Sequence, residues 1–183
     1  MSQFLVDQEL LKKFSTHSIV VGILLMITGL LGIFLPVAMS LTVTIFVAWL
    51  FIISGIFSAV QVYKNYKKKW MAWLKPFLLL VTGIFMLLYP LSGVAALGLL
   101  LAVYFFMDTF ASISLALELH PHRGWGWMLF NGLISLLLAI LFLIYWPFGS
   151  LWLVGLFVGI SLFMDGASLL GIGLAARKAE RKE

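Results

Sequence analysis

Two carboxylates stand in stretches that are otherwise apolar. Asp108 is the one charged side chain between Gly93 and Leu117, and Asp165 is the one charged side chain between Ser150 and Ala176. An acid in such surroundings is costly to keep and marks a functional site by default. Helical spacing puts Asp108 one turn from Tyr104 and Ser112, and Asp165 one turn from Ser161 and from Ser168 or Leu169. A carboxyl could bridge helices through these hydroxyls as structural glue, which is the leading reading. The same two acids could instead pass protons or handle cations, which is the alternative. No lysine or arginine lies within these stretches, so neither a simple buried ion pair nor an anion site is expected.

The elements that position the two acids follow from length. The 25 residues from Gly93 to Leu117 make a helix about 37 Å long, enough to cross a hydrocarbon core of roughly 30 Å. The whole chain has the same character: 63% of its 183 residues are hydrophobic and 10% are charged, with mean hydropathy +1.15. Soluble domains carry about 25% charged residues. The fold class expected is an all-α polytopic membrane protein with six transmembrane helices.

In chain order, residues 1–17 form a polar, mixed-charge segment whose Phe4, Leu5, Leu10, Leu11 and Phe14 suit a short amphipathic helix at the membrane interface. A single six-helix domain over 18–176 follows, and 177–183 is a charged tail. Span 1 covers 18–35 and span 2 covers 38–62. Span 3 covers 76–89, with Trp70–Leu74 available as an interfacial first turn. Span 4 ends near Glu118, span 5 covers 127–145, and span 6 reaches Ala176. The apolar run 18–35 ends without a small-x-small cleavage pattern, so it is expected to be retained as a span rather than removed as a signal peptide.

Every lysine and arginine falls in the termini, the 2–3 link or the 4–5 link, while the links around Pro36, Pro90 and Pro147 carry no charge. The positive-inside rule then places both termini and the charged links in the cytoplasm of a multi-pass inner-membrane protein. The block Lys64, Lys67, Lys68, Lys69 and Lys75 is explained by this orientation, although it could also attract anionic headgroups. Trp70 and Trp73 beside it suit an aromatic belt.

The prolines are 54 and 57 residues apart, and other landmarks repeat with them. Eighteen residues beyond each comes Ser54-Gly55, Asp108-Thr109 or Asp165-Gly166, and seven before the first two comes Gly29 or Gly83, each preceded by threonine. Three helical hairpins of parallel orientation, over 18–62, 76–117 and 127–176, account for this. A ring and a row of hairpins satisfy the pattern equally. Small-x-x-x-small pairs, Gly55–Ala59, Gly155–Gly159 and Ala167–Gly171, with Gly166 at the repeat landmark, nominate spans 2, 4 and 6 for the inner helix contact.

Other chemistry is poorly provided for. There is no cysteine, no GxSxG, no phosphate-binding Gly-Lys-Ser/Thr loop and no HExxH, so no enzyme, cofactor or metal site is expected. His120 and His122, with Glu118 nearby, lack the further ligands a metal needs and suit an ordinary interfacial loop. Nothing surrounds the lysines that could bind nucleic acid. Expected partners are membrane lipids, with a homo-oligomer or another membrane protein as further options and no identifiable substrate.

Over residues 14–176 the chain resembles the bacterial HdeD-like acid-resistance membrane proteins, a domain of unknown function. The landmarks are the six spans, Thr28-Gly29 and Thr82-Gly83, the prolines at 36, 90 and 147, Met107-Asp108, and Met164-Asp165-Gly166. Ser54 stands where the first unit would carry an acid, and the third unit has Ala139-Ile140 in place of Thr-Gly. The resemblance implies a non-enzymatic inner-membrane component of acid or envelope stress tolerance, for which a packing or partner-binding module is the expected form. A small channel or proton-linked transporter using Asp108 and Asp165 is the alternative.

Overall fold

The computed structural model describes residues 2–65, 70–121 and 124–180, with side chains described from Ser15 to Lys178 within those ranges. Lys67, Lys68, Lys69, His122, Arg123 and residues 181–183 lie outside the described residues. Six helices follow in order: α1 (Ser2–Phe34), α2 (Pro36–Asn65), α3 (Trp70–Leu88), α4 (Pro90–Leu119), α5 (Trp125–Ile144) and α6 (Ser150–Glu180). All six are long and apolar enough to cross a membrane, and each buries only 17–28% of its apolar window within the protein. Large apolar side chains such as Phe34, Phe57, Leu117 and Phe148 are left outside. That surface suits lipid, and helices satisfy their own backbone groups there.

Two boundaries differ from the sequence expectation. The amphipathic segment over residues 1–17 is not a separate helix, because α1 continues unbroken from Ser2 to Phe34. No glycine or proline lies between Ser2 and Val21, so nothing interrupts the hydrogen-bond ladder. In the other case α3 starts at Trp70 and carries Pro76 inside it. Trp70–Leu74 are therefore its first turns.

The uncharged links are abrupt. Between α1 and α2 only Leu35 intervenes, with its N–H donating to Leu31 O (2.8 Å) and its carbonyl accepting from Met39 N (3.0 Å). Tyr89 plays the same part between α3 and α4. In each case a proline opens the following helix, where its missing N–H has no ladder partner to lose. A Cβ built on Gly32 would lie 3.1 Å from Met39 Cγ, and one on Gly93 would lie 3.4 Å from Met86 Cγ. Residues seven apart in a straight helix are separated by about 10 Å along the axis, so the chain folds back sharply at both points. The third link is longer, spanning Tyr145–Gly149, and Trp146 Nε1 donates to Ala95 O at 3.0 Å.

The chain divides into two compact units. The first comprises Met1–Met39 and Gly155–Glu183, and the second comprises Ser40–Val154. In the first, α1 and α6 are antiparallel: Ser15 Oγ donates to Gly173 O at 3.2 Å, and farther along Gly22 meets Gly166 and Gly29 meets Gly159. In the second, α3 lies antiparallel on α2, with Gly55 beside Leu80 and Gly83 beside Ala48. There α4 and α5 also pair closely, stacking Phe105 on Phe142 with ring centroids 5.9 Å apart.

The same positions are buried in each set of helices. On α2, α4 and α6 they are Thr44, Gly98 and Gly155, then Ala48, Ala102 and Gly159, then Gly55, Thr109 and Gly166. On α1, α3 and α5 they are Gly22, Pro76 and Gly132, then Gly29, Gly83 and Ala139, then Gly32, Met86 and Phe142, the α5 positions standing one residue farther from the following proline than their counterparts. Small residues dominate these seams because apolar side chains gain little by leaving lipid for protein, so close backbone packing must hold the helices. Gly29 and Gly83 illustrate the constraint. A Cβ on Gly83 would sit 2.8 Å from Ala48 O, and one on Gly29 would sit 2.7 Å from Gly159 O. The glycine of each Thr-Gly landmark is thus a point of helix contact. Thr28 beside it donates to Leu24 O at 2.8 Å and makes that bond within its own helix.

Candidate functional site

Asp108 is half-buried on α4, eleven residues before Leu119, about 16 Å along the helix axis from its charged end. Its partners come from α5. Ser135 Oγ donates to Asp108 Oδ2 at 2.6 Å, a distance typical of a hydroxyl bonded to a carboxylate. Asn131 Nδ2 reaches the same oxygen at 3.4 Å and donates to Ser112 Oγ at 3.0 Å. Ser112 and Ser135 are 5% and 4% exposed, while Asn131 is exposed. Four polar side chains therefore tie α4 to α5 inside otherwise apolar helices.

The local sequence explains the arrangement. Asp108 and Ser112 are four residues apart on α4, and Asn131 and Ser135 are four apart on α5, so each pair occupies one helix face. The antiparallel register sets the two faces against each other. Gly132 lets the helices close: a Cβ there would lie 3.2 Å from Ser112 Cβ. One turn from Asp108, Phe105 and Phe142 are buried beside Ala102 and Ala139, so the polar cluster is bounded on that side by a packed apolar layer. Tyr104 takes no part. It is 59% exposed, and its ring meets the edge of Phe105 at 5.5 Å.

Asp165 is placed differently. It is exposed on α6, and no hydrogen bond of its carboxylate is found among the described residues. Ser168 donates to Met164 O at 2.9 Å and so is engaged within its own helix. Ser161 is half-buried. On α1, the positions corresponding to Asn131 and Ser135 are Val21 and Leu25, which have no polar atoms to offer.

The packing residues are also distributed unequally. Gly55, Gly155, Gly159 and Gly166 are buried, and Ala59 is half-buried. A Cβ on Gly166 would lie 2.6 Å from Gly22 O, one on Gly159 would lie 2.7 Å from Gly32 C, and one on Gly155 would overlap the Pro36 carbonyl. Gly171 is exposed with open space around it, and Gly173 is the glycine that packs, against Ile19 and Ser15. The even-numbered helices approach one another in their early turns, where Gly93 meets Thr44, Gly98 meets Ser150 and Gly155 meets Pro36. Farther along, each packs on an odd-numbered helix.

Sequence reasoning missed Asn131 and Ser135. The signal available was a second polar pair at four-residue spacing, on the span joined to Asp108 by a short link. Among the described residues no group of three His, Cys, Asp or Glu side chains could hold a metal ion. His120 packs the edge of its ring against Trp125, with centroids 4.9 Å apart.

Comparison with known proteins finds a repeat family matched twice along the chain. A family model described as a short repeat of unknown function, DUF308, matches residues 20–78 and again residues 76–144. The first match takes in the later part of α1, all of α2 and the start of α3, and the second takes in most of α3 with α4 and α5. No curated protein and no solved structure matches the chain.

Proposed function

Since the chain belongs to the DUF308 family of short repeats of unknown function, we propose that it is a non-enzymatic inner-membrane protein supporting acid or envelope stress tolerance. In this reading it is a packing or partner-binding module, built from three parallel hairpins with both termini in the cytoplasm. The relation of this family to the HdeD-like acid-resistance proteins supplies the physiological setting. The observation that carries the molecular part is the hydrogen bonding of Asp108. Its carboxylate is engaged by Ser135 and Asn131 of the neighbouring helix, which is what a structural tie requires.

The test is survival of acid challenge by cells lacking the gene, complemented with wild-type protein or with Asp108→Asn at matched expression. The reading expects a survival defect restored by wild type. Unchanged survival of the deletion strain, where the protein is normally expressed, would sink the physiological role.

A second reading, proton or cation handling, is favoured by one observation: Asp165 is exposed in α6 without a partner among the described residues. Reconstituted protein should then carry a proton or cation flux that Asp165→Asn abolishes. Verified, oriented protein with no flux across a range of pH would dispose of it.

A further inference from the structure

We propose that the start of α3, together with Lys64 at the end of α2, forms a binding site for an anionic phospholipid. Trp70, Trp73, Leu74 and Phe77 recur at the spacing of one helix face. They line an open cavity of about 480 Å³, within the range of small-molecule sites. Trp70 is 89% exposed and Phe77 61% exposed. The lining offers hydrocarbon and indole rather than polar groups, so it recognises an acyl chain.

Depth fits the same ligand. With 19 residues, α3 is about 28 Å long, barely the thickness of the hydrocarbon core. Trp70, its first residue, must therefore lie near the headgroups, where tryptophan is favoured. Phe77 lies about 10 Å deeper along the axis, among the chains. One amphiphile can thus lie along the face with its head at Trp70.

Charge selects the head. The antiparallel register of α2 and α3, with Gly55 beside Leu80 and Ala48 beside Gly83, brings Lys64 level with the first turn of α3. Lys67, Lys68 and Lys69 precede Trp70 directly in sequence, and no Asp or Glu occurs between Glu9 and Asp108. A phosphate carrying net negative charge answers these lysines, whereas a zwitterionic headgroup offsets its own charge. Trp125 and Trp127 at the start of α5 provide an internal comparison, since the 4–5 link carries only Arg123 with Glu118 nearby.

The experiment is quenching of tryptophan fluorescence by lipids with brominated acyl chains in reconstituted vesicles. Wild type is compared with a Trp70→Phe/Trp73→Phe protein and a Trp125→Phe/Trp127→Phe protein, so that differences isolate each pair. Brominated phosphatidylglycerol should quench Trp70 and Trp73 about fivefold more effectively than brominated phosphatidylcholine at the same low mole fraction, the factor expected for one lysine near the surface. Trp125 and Trp127 should respond alike to both lipids. Replacing Lys64, Lys67, Lys68 and Lys69 by glutamine should remove the excess. In wild type, salt near about 1 M, where the screening length is about 3 Å, should reduce it independently of any variant's folding. Equal quenching of Trp70 and Trp73 by the two lipids would overturn the site. So would the same phosphatidylglycerol excess at both tryptophan pairs, which would mean diffuse attraction.

Discussion

Asp108 and Asp165 each lie eighteen residues beyond a proline, in helices whose buried positions coincide, yet their neighbours are unlike. Opposite Asp108 the α5 helix offers Asn131 and Ser135. Across from Asp165, α1 has Val21 and Leu25 at the matching positions. The interface of α1 with α6 is held instead by backbone approach: Gly22 and Gly166 bring their main chains close enough to exclude a Cβ on either. At the place of Gly166, α4 carries Thr109, whose hydroxyl donates to Phe105 O at 2.8 Å. Repetition has kept the backbone positions and the acid while letting two interfaces solve helix association differently. One uses hydrogen bonds across slightly wider packing, and the other uses contact between bare backbones.

The largest effect should come from breaking the bare contact. Gly166→Val places methyl groups into the Gly22 carbonyl and should cost about 1–3 kcal/mol or more by overpacking, whereas Thr109→Val at the matching place should cost much less. Unfolding in a mild detergent, followed by circular dichroism, ranks the two. Equal losses would show that the interfaces do not differ as described.

Next comes the polar tie. Ser135→Ala removes the short bond to Asp108 and should cost about 1 kcal/mol, since interhelical hydrogen bonds in membranes average about 0.6 and reach about 1.7 kcal/mol. A double-mutant cycle with Asp108→Ala isolates the coupling. A coupling near zero would remove Asp108 from the interface energetically.

A gain sharpens the same contrast. Val21→Asn combined with Leu25→Ser supplies α1 with the donors that α5 possesses, and Asp165→Ala should then become more costly by several tenths of a kcal/mol than in the wild-type background. The smallest effect is expected for Asp165→Asn alone, with stability unchanged within about 0.5 kcal/mol because no partner is lost. A large loss would reveal a contact supplied by another molecule, and chemical crosslinking would then show whether it is a second copy.

Much of the candidate site was legible in part. Asp108 and Ser112 stood out because a charge interrupting an apolar run is conspicuous in one dimension. Asn131 did not, since an uncharged amide near the end of a span looks unexceptional until its register against α4 is known. Tyr104 shares helical spacing with Asp108 but its ring turns to the outside. Gly171 illustrates the same limit: small-x-x-x-small spacing does not say which side of the helix faces a neighbour, and the packed position is Gly173.

Sequence alone determined six spans and the sharp links, because apolar length and proline act within a few residues of where they stand. It also determined the family repeat, because recurring glycines and prolines are local marks. The tertiary structure decided which repeated acid acquires donors and which glycines meet another backbone. Those outcomes depend on the register between helices distant in the chain. Lipid gives apolar side chains little reason to prefer one neighbour over another, so that register is selected by backbone fit and a few hydrogen bonds.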